Sequence, residues 1–130
     1  MPEQGGNMQI VGELMEVLLY VEDMAAQVSF YGDILGLTVR EPRDVKDYGN
    51  VYWVELETGA CTLALHGGGQ RRFGPDAPKF VFRVTDLEAA REELLQKVVP
   101  MGEIRSPAPG VQVCDGQDPE GNRFSIEARE

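Results

Sequence analysis

His66 is the only histidine of the chain, and histidine is the side chain that most readily exchanges a proton near neutral pH. It ends a run of alternating small and apolar residues and is followed at once by three glycines. A histidine in such a place can act as a general base on a bound substrate. A solvated histidine at the end of a strand is the structural alternative, so we treat His66 as a candidate catalytic residue.

Two cationic residues and the only tryptophan have the chemistry of ligand recognition. Lys79 and Arg83 lie four residues apart in an alternating segment, so they share one face of a strand and can clamp an anionic group. Trp53 offers a flat surface on which an aromatic or cationic ligand can stack. The structural alternatives are a core position for Trp53 and a surface charge at the rim of the sheet for Arg83.

An internal repeat accounts for the placement of these residues. Residues 16–23 (EVLLYVED) are similar to residues 79–86 (KFVFRVTD), and the two closing aspartates are 63 residues apart. Both segments alternate between apolar and other side chains, which is typical of a half-buried strand. Each aspartate then stands where it can cap a helix, before apolar residues at helical spacing. The sequence therefore predicts two copies of one βαβββ unit, an α+β fold.

The repeat also gives the domain organisation. We predict a flexible N-terminal tail over 1–12, a first βαβββ module over 13–66, a linker over 67–78 and a second module over 79–128, all within one domain. The glycines at the start of the linker lack the strand-to-helix setting of a phosphate-binding loop.

The elements within each module follow from periodicity and turn residues. In the first module we expect a helix from Met24 to Leu35, stopped by Gly36, and strands over 38–41, 51–57 and 61–66. In the second module we expect a helix with apolar positions Leu87, Ala90, Leu94 and Val98, a weak edge strand over 99–104, and strands over 111–114 and 123–127. The turn 118–122 joins the last two strands.

Composition narrows the range of functions. Apolar residues make up 42% of the 130 residues, which is enough for a folded core and argues against disorder. No apolar run approaches the ~20 residues of a membrane-spanning helix, and Met1–Gly12 lacks the basic start of a signal peptide, so we expect a cytoplasmic protein without a membrane partner. The formal net charge of −10 argues against nucleic acid as a partner and suits solubility or a cationic ligand. Cys61 and Cys114 have no metal-type spacing and are expected to be reduced thiols.

The repeat and three short motifs resemble the glyoxalase, bleomycin-resistance and extradiol dioxygenase superfamily, also called the vicinal oxygen chelate proteins. The motifs are Val-x-Asp before Met24 and Leu87, the Phe30-Tyr31…Leu35-Gly36-Leu37 end of the first helix, and Asp118-Pro119-Glu120-Gly121-Asn122 before the last strand. The resemblance covers roughly residues 13 to 128. It implies a cup-shaped, mostly antiparallel sheet around a small-molecule pocket, helices on its outer face, and a homodimer in which the cup can combine one module from each chain.

The resemblance also implies where a metal would bind. Enzymes of this superfamily hold a divalent metal through His, Glu or Gln at four strand positions, and the metal polarises oxygens of the substrate. In this sequence those positions are Glu16, Ala64 (to within one residue), Lys79 and Ser125. Only Glu16 is a competent ligand, because alanine has no donor atom, serine is a poor ligand, and lysine must lose a proton to coordinate. We therefore expect no metal cofactor.

Strand parity gives the residues expected to face the cup. With Glu16 facing inward, we predict as ligand-binding residues Glu16, Tyr20, Trp53, His66, Lys79, Arg83, Ser125 and Glu127. Glu16 joins His66 as a candidate catalytic residue. A shifted divalent-metal site of Glu16, His66 and Glu127 is the alternative to a metal-free cup, although His66 and Glu127 each lie two residues, about 6–7 Å, beyond the family's positions.

The charges at equivalent places in the two copies predict an ion pair. Glu16 and Lys79 occupy the same position of the repeat, and the resemblance implies that these positions meet across the floor of the cup. A sheltered ion pair is tolerated when both partners are present and well hydrogen-bonded. We therefore expect Glu16 and Lys79 to pair in place of the metal.

Three functions are compatible with these features. The first, which we favour, is a metal-free protein that binds a small molecule in the cup, similar to the bleomycin-resistance type. The second is a metal-dependent lyase, isomerase or dioxygenase-like enzyme that uses a non-standard site. The third is a regulatory or structural module whose cup is filled by Leu18, Tyr20 and Trp53. The fold alone does not decide among them.

Overall fold

The computed structural model describes residues 10, 13–69 and 77–130 of the chain. The first module contains strands β1 (Glu16–Val21), β2 (Thr38–Glu41), β3 (Trp53–Glu57) and β4 (Thr62–Gly67), with helix α1 (Met24–Val28) between β1 and β2. The second module contains β5 (Phe80–Arg83), helix α2 (Leu87–Gln96), β6 (Arg105–Ala108), β7 (Val111–Gln117) and β8 (Arg123–Arg129). A π-helical segment (Ser29–Ile34) continues α1, and a 3₁₀ turn (Tyr48–Asn50) precedes β3.

Each module forms its own four-stranded mixed sheet, and the two sheets have the same strand order. The order is β1-β4-β3-β2 in the first sheet and β5-β8-β7-β6 in the second. The first strand of each module pairs in parallel with the last strand, and the other neighbours pair antiparallel. The predicted fold class of two βαβββ modules is therefore confirmed. Among the described residues the hydrogen-bonded ladders form two sheets, in which β1 and β5 are edge strands.

Both predicted helix starts are confirmed. The Asp23 carboxylate accepts a hydrogen bond from the Ala26 backbone N–H (3.1 Å), and the Asp86 carboxylate accepts one from the Ala89 N–H (3.1 Å). These bonds satisfy N–H groups that have no partner inside the helix. The first helical segment ends before Gly36, whose φ of +88° is a left-handed conformation that glycine adopts without strain.

The helices cover one face of each sheet, and the apolar positions of the strands are buried beneath them. In the first sheet these positions are Leu19, Val21, Val54, Leu56, Leu63 and Leu65, and in the second they are Cys114, Phe124 and Ile126. They join helix residues such as Met24, Val28, Leu87 and Leu94 in one hydrophobic cluster. Full burial of one such aliphatic side chain contributes roughly 1.5–3 kcal/mol, so this cluster is the main source of stability and it spans both modules.

A buried aspartate in the turn between β7 and β8 links the two modules. The Asp118 carboxylate accepts hydrogen bonds from the Gln27 amide (2.9 Å) and the Tyr31 hydroxyl (2.8 Å) of the first module, and from the Asn122 amide (2.9 Å) of its own turn. Burial and the neighbouring Asp118 carboxylate raise the pKa of Tyr31, so its hydroxyl remains a donor at any working pH.

The same turn contacts the start of α1. The Glu120 carboxylate accepts hydrogen bonds from the backbone N–H groups of Glu22 (2.9 Å) and Asp23 (2.8 Å). The Phe30 ring packs edge-on against Phe124 of the second sheet, with ring centroids 5.6 Å apart. The motif at residues 118–122 therefore positions one module against the other.

Two predicted features of the second module are wrong. The edge strand expected over 99–104 is replaced by β6 at Arg105–Ala108, and Met101 makes an isolated bridge to Gly116. Helix α2 ends at Gln96, and Val98, predicted on its buried face, has a φ of +64° and an exposed fraction of 86%. A left-handed residue after a helix turns the chain away from the helix axis, so the helical periodicity stops and Val99 is buried instead.

Cys61 and Cys114 are free thiols, as expected. Within the described ranges, no helix has the length and apolar character needed to cross a membrane. The predicted tail (1–12) and linker (67–78) fall largely on residues outside the described ranges, so the domain boundaries stay predictions.

Candidate functional site

The face of each sheet that points away from the helices, here called the open face, holds the residues predicted to line the cup. Residues paired directly across a ladder point to the same side of the sheet. In the first sheet this gives the rows Glu16–Thr62–Glu57, Leu18–Ala64–Glu55 and Tyr20–His66–Trp53. In the second sheet it gives the rows Val81–Ser125–Asp115 and Arg83–Glu127–Val113.

Four rings form an aromatic cluster on the open face of the first sheet. His66 lies between Tyr20, Tyr52 and Trp53, whose ring centroids are 4.8, 5.0 and 5.9 Å from that of the imidazole. Its Nδ1 atom lies 2.7 Å from the carbonyl oxygen of Gly67, which can only accept, so Nδ1 carries the proton and Nε2 is left for another partner. The exposed fractions of Tyr20 and Tyr52 are 55% and 63%, so these rings remain open to a ligand.

Tyr52 reaches the aromatic cluster because two glycines leave room for its side chain. A Cβ atom would lie 3.1 Å from the Tyr52 side chain at Gly67 and 2.5 Å from it at Gly68. The Gly67 N–H also donates to the Tyr52 carbonyl oxygen (2.8 Å), which ties the segment before β3 to the end of β4. The glycines after His66 therefore help to build the aromatic cluster.

A carboxylate held by an arginine lies beside the aromatic cluster. Glu55 accepts hydrogen bonds from the Arg40 guanidinium (2.6 Å) and the Trp53 indole N–H (2.9 Å). These bonds hold the pKa of the Glu55 carboxyl below its usual value, so it is ionised at neutral pH. The indole bond also fixes the orientation of the Trp53 ring. The open face here is acidic, because its other charged positions include Glu16, Glu41 and Glu57.

Asp115 is the centre of a charged cluster on the open face of the second sheet. Its carboxylate accepts hydrogen bonds from the Ser125 hydroxyl (2.5 Å), Lys79 Nζ (3.3 Å) and the Arg105 guanidinium (2.8 Å). Burial alone would raise the pKa of Asp115, but hydrogen bonds from Arg105, Ser125 and Lys79 outweigh it and hold the pKa well below its usual range. Asp115 is therefore a permanent negative charge at neutral pH.

The residues at the family's metal positions do not fit a divalent ion. Ala64 has no donor atom, Ser125 donates its hydroxyl proton to Asp115, and the Lys79 ammonium is held by the same carboxylate. An ammonium at a ligand position repels a metal cation, which leaves Glu16 as the single competent donor. In the part of the chain that the structure describes, no three His, Cys, Asp or Glu side chains are grouped as metal ligands.

The structure does not bring together the three residues of the alternative metal site. Glu16 pairs with Thr62 in the ladder, four residues from His66, a separation of about 13 Å along β4. Glu127 lies on the second sheet, where it forms an ion pair with Arg129.

The predicted ion pair between Glu16 and Lys79 is not formed. Lys79 binds Asp115, which lies in its own sheet, whereas Glu16 belongs to the other sheet. Arg83, predicted to clamp an anion beside Lys79, lies opposite Glu127 in the ladder. The arginine that shares the Asp115 carboxylate with Lys79 is Arg105.

Sequence reasoning missed several residues that hold the predicted ones in place. Asp115 could have been found from the hairpin, because counting back through the turn at 118–122 sets Ser125 opposite it. Arg105 could not have been found in this way, because it begins β6, and that strand was predicted in the wrong place. Tyr52 was not among the predicted ligand-binding residues; it precedes β3 and joins the aromatic cluster.

Two grooves among the described residues lie away from these clusters. One of about 470 Å³ is lined by α1 and by the segment from Val45 to Tyr48, and one of about 570 Å³ lies beside the start of α2. Neither is lined by a residue predicted for the site. Among the described residues, the candidate site is therefore defined by the exposed rings and charges on the open faces.

Two βαβββ modules of equal strand order, with polar open faces and a linking turn at 118–122, define the class of protein. The sequence model of the Glyoxalase/Bleomycin resistance protein/Dioxygenase superfamily matches residues 13–126. The chain belongs to this superfamily. No curated protein matches it at a significant level.

Solved structures share this fold over nearly the whole chain. A glyoxalase family protein from Enterococcus faecalis is similar with a TM-score of 0.72 and 18% identity, covering 92% of this chain and 99% of its own. A lactoylglutathione lyase from Agrobacterium tumefaciens has a TM-score of 0.69 and 20% identity, with coverages of 92% and 96%. TnmS3, an antibiotic-binding protein from Streptomyces sp. CB03234, has a TM-score of 0.70 and 17% identity, with coverages of 95% and 100%. At these identities the similarity shows the fold alone.

Proposed function

We propose that this protein binds a small organic molecule on the open face of its first sheet, without a metal cofactor. The observation that carries the proposal is the aromatic cluster of Tyr20, Tyr52 and Trp53 around His66, in which both tyrosine rings are exposed. Grouped exposed rings are typical of surfaces that a ligand or partner covers. Membership of the superfamily supports a small molecule as that ligand, and one protein of the same fold is an antibiotic-binding protein.

The charges around the aromatic cluster favour a flat cation as the ligand. Aromatic faces attract cations, and the neighbouring carboxylates, Glu55 above all, strengthen that attraction. Glu16 lies on the same open face, and no ion pair holds it among the described residues. The net charge of −10 acts in the same direction over the whole surface.

Two probes with nearly the same rings test the proposal. N-methylquinolinium is a flat cation, and quinoline is its neutral counterpart above pH 7. A ligand that binds only the folded chain raises the melting temperature by mass action. We expect a saturable rise with N-methylquinolinium and a weaker one with quinoline, because only the cation interacts with the carboxylates.

Variants locate the binding surface. Tyr20→Leu removes a ring from the aromatic cluster and is expected to weaken N-methylquinolinium binding about two- to fivefold, since one exposed cation–π contact is worth ~0.5–1 kcal/mol. Tyr48→Leu is the matched control, because Tyr48 precedes β3 in a 3₁₀ turn and bonds to the Pro42 carbonyl oxygen. Equal dissociation constants in the two variants would show that the ligand binds outside the aromatic cluster. Equal binding of N-methylquinolinium and quinoline would show that the charge of the ligand does not contribute to binding.

A metal-dependent lyase, isomerase or dioxygenase-like enzyme is the competing function. Its support is the fold shared with a lactoylglutathione lyase and the Glu16 carboxylate at one family ligand position. Elemental analysis and a melting-temperature screen against nickel, zinc, manganese, iron(II) and magnesium separate the two functions. One metal per chain, with a temperature rise that disappears in Glu16→Ala, would replace the proposed function with the enzymatic one.

We also propose that the chain forms a homodimer. Leu14 and Met15, just before β1, and Val81 on β5 are large apolar residues that are exposed, and both strands are sheet edges. Exposed edges with apolar flanks pair readily with a second chain. Light scattering is expected to give twice the chain mass of 14.4 kDa, and a single-chain mass at every concentration would contradict this. A cytoplasmic location stays the prediction made from composition.

A further inference from the structure

The open faces of the two sheets are built on one plan. In each module an arginine of the second strand pairs with a carboxylate of the third strand, Arg40 with Glu55 at 2.6 Å and Arg105 with Asp115 at 2.8 Å. In each ladder that carboxylate is opposite the small residue at a family metal position, which is Ala64 in the first sheet and Ser125 in the second. The duplication therefore extends to these arginine–carboxylate pairs.

The two open faces differ in the sign of the charge at one equivalent position of the repeat. Glu16 and Lys79 hold the same position of the repeat, so the first sheet gains a carboxylate where the second gains an ammonium. On the open face of the first sheet the charged residues are Glu16, Glu41, Glu55 and Glu57 against Arg40. On that of the second sheet they are Lys79, Arg83, Arg105, Arg123 and Arg129 against Asp115 and Glu127. The second open face is thus positive in a protein whose net charge is −10.

We infer that Lys79 and Arg105 form a binding subsite for an oxyanion, a carboxylate or phosphate group of a ligand. Lys79 Nζ and Arg105 Nη2 contact the same oxygen atom, Asp115 Oδ1, at 3.3 and 3.5 Å. Two nitrogens that share one oxygen neighbour are close enough for a single oxyanion to contact both. One carboxylate between two cations leaves a net positive charge, and each cation keeps donors that Asp115 does not use.

Asp115 and Ser125 are positioning residues for this subsite. Ser125 is completely buried, and its hydroxyl fixes the Asp115 carboxylate through a 2.5 Å hydrogen bond. The carboxylate in turn fixes both cations, which lowers the entropy that they lose when an anion binds. The side chain of Lys79 is 29% exposed and that of Arg105 is 51% exposed, so both are accessible from the open face.

The subsite shares no residue with the aromatic cluster, so oxyanion binding can be tested independently of the proposed function. Should both hold, the ligand is dipolar, with a flat cationic part for the first sheet and an anionic group for the second. Trp53 reports on the first sheet alone, which keeps the two tests distinguishable.

Titration with inorganic phosphate, balanced with sodium chloride to constant ionic strength, tests the subsite. We expect phosphate to raise the melting temperature of the wild-type protein in a saturable way. Lys79→Met is expected to weaken binding about tenfold or more, because one charge-assisted hydrogen bond is lost. Lys97→Met is the matched control, since Lys97 pairs with Glu93 on α2 and lies outside the open face.

Arg105→Gln provides an independent test on a half-exposed side chain whose replacement leaves the core intact. It is expected to weaken phosphate binding as Lys79→Met does, and it decides the question if Lys79→Met fails to fold. A wild-type protein without a saturable phosphate response would overturn the inference. Equal phosphate affinity in wild type, Lys79→Met and Arg105→Gln would overturn it as well.

Discussion

Three donors surround the carboxylate of Asp115, and they determine how this residue responds to pH. Its pKa in the folded chain lies below the value of about 3.9 expected for an unfolded aspartate. A carboxyl with a depressed pKa binds a proton less readily when folded than when unfolded. The stability it contributes is therefore complete above the unfolded pKa and is lost as the pH falls towards the folded pKa.

We expect Asp115→Asn to flatten the acid side of the stability curve. The variant should be less stable than wild type at pH 7, and the difference should shrink as the pH falls below about 4, because the wild-type carboxylate then loses its advantage. Urea unfolding at a series of pH values measures this. Asp33→Asn is the control, since Asp33 is exposed on the π-helical segment. Parallel pH curves for wild type and Asp115→Asn would contradict the assigned role of Asp115.

The hydroxyl of Tyr31 is a second residue whose effect can be measured alone. Tyr31→Phe removes a donor from the buried Asp118 carboxylate and is expected to lower the free energy of unfolding by about 1–3 kcal/mol. Tyr20→Phe removes an exposed hydroxyl and should change it by less than about 0.5 kcal/mol. Equal effects of the two changes in urea unfolding would show that the contact with Asp118 does not stabilise the modules.

At the scale of elements, alternation predicted the strands that bury one face. β1, β4 and β8 begin within one residue of their predicted starts, because each alternates between core and open face. β3 begins at Trp53 and not at residue 51, since a 3₁₀ turn occupies Tyr48–Asn50. β6 was misplaced because every one of its residues is exposed, so no hydrophobic pattern marks it.

Alternation along the strands also predicted part of the candidate site. Parity showed that Tyr20, Trp53 and His66 share the open face, but only the register shows that they form one row. The partner of Lys79 depends on the register between β7 and β8, which a period of two does not determine. The ion pair expected between Glu16 and Lys79 is not formed within the chain, because Asp115 of the second sheet holds Lys79.

The end of α2 gives a prediction for an element. Val98 is β-branched and holds a φ of +64°, a conformation that costs a side chain roughly 1–2 kcal/mol and costs glycine little. Val98→Gly is therefore expected to raise the free energy of unfolding by about 0.5–1 kcal/mol, after allowance for the more flexible unfolded chain. Glu92→Gly, at an exposed position inside the helix, should lower it by about 1 kcal/mol. A loss of stability in Val98→Gly in urea unfolding would contradict this account of the helix end.

At the scale of the whole molecule, the repeat and the three short motifs together predicted the superfamily and the two modules, and the match to the family model confirms the superfamily. The division of charge between the sheets was not predicted, because it depends on which charged residues share an open face. Although the net charge of the chain is −10, the open face of the second sheet is positive. An acidic protein can in this way present sites for both ends of a dipolar ligand.

The central claim is that the open face of the first sheet binds its ligand without a metal. Trp53 is the only tryptophan and belongs to the aromatic cluster, so its fluorescence reports on that face alone. The most direct measurement is a titration of the protein with N-methylquinolinium in excess EDTA, following Trp53 emission. The account predicts saturable quenching that added divalent metal does not change. A linear, non-saturable response in EDTA that becomes saturable on addition of a divalent metal would contradict it.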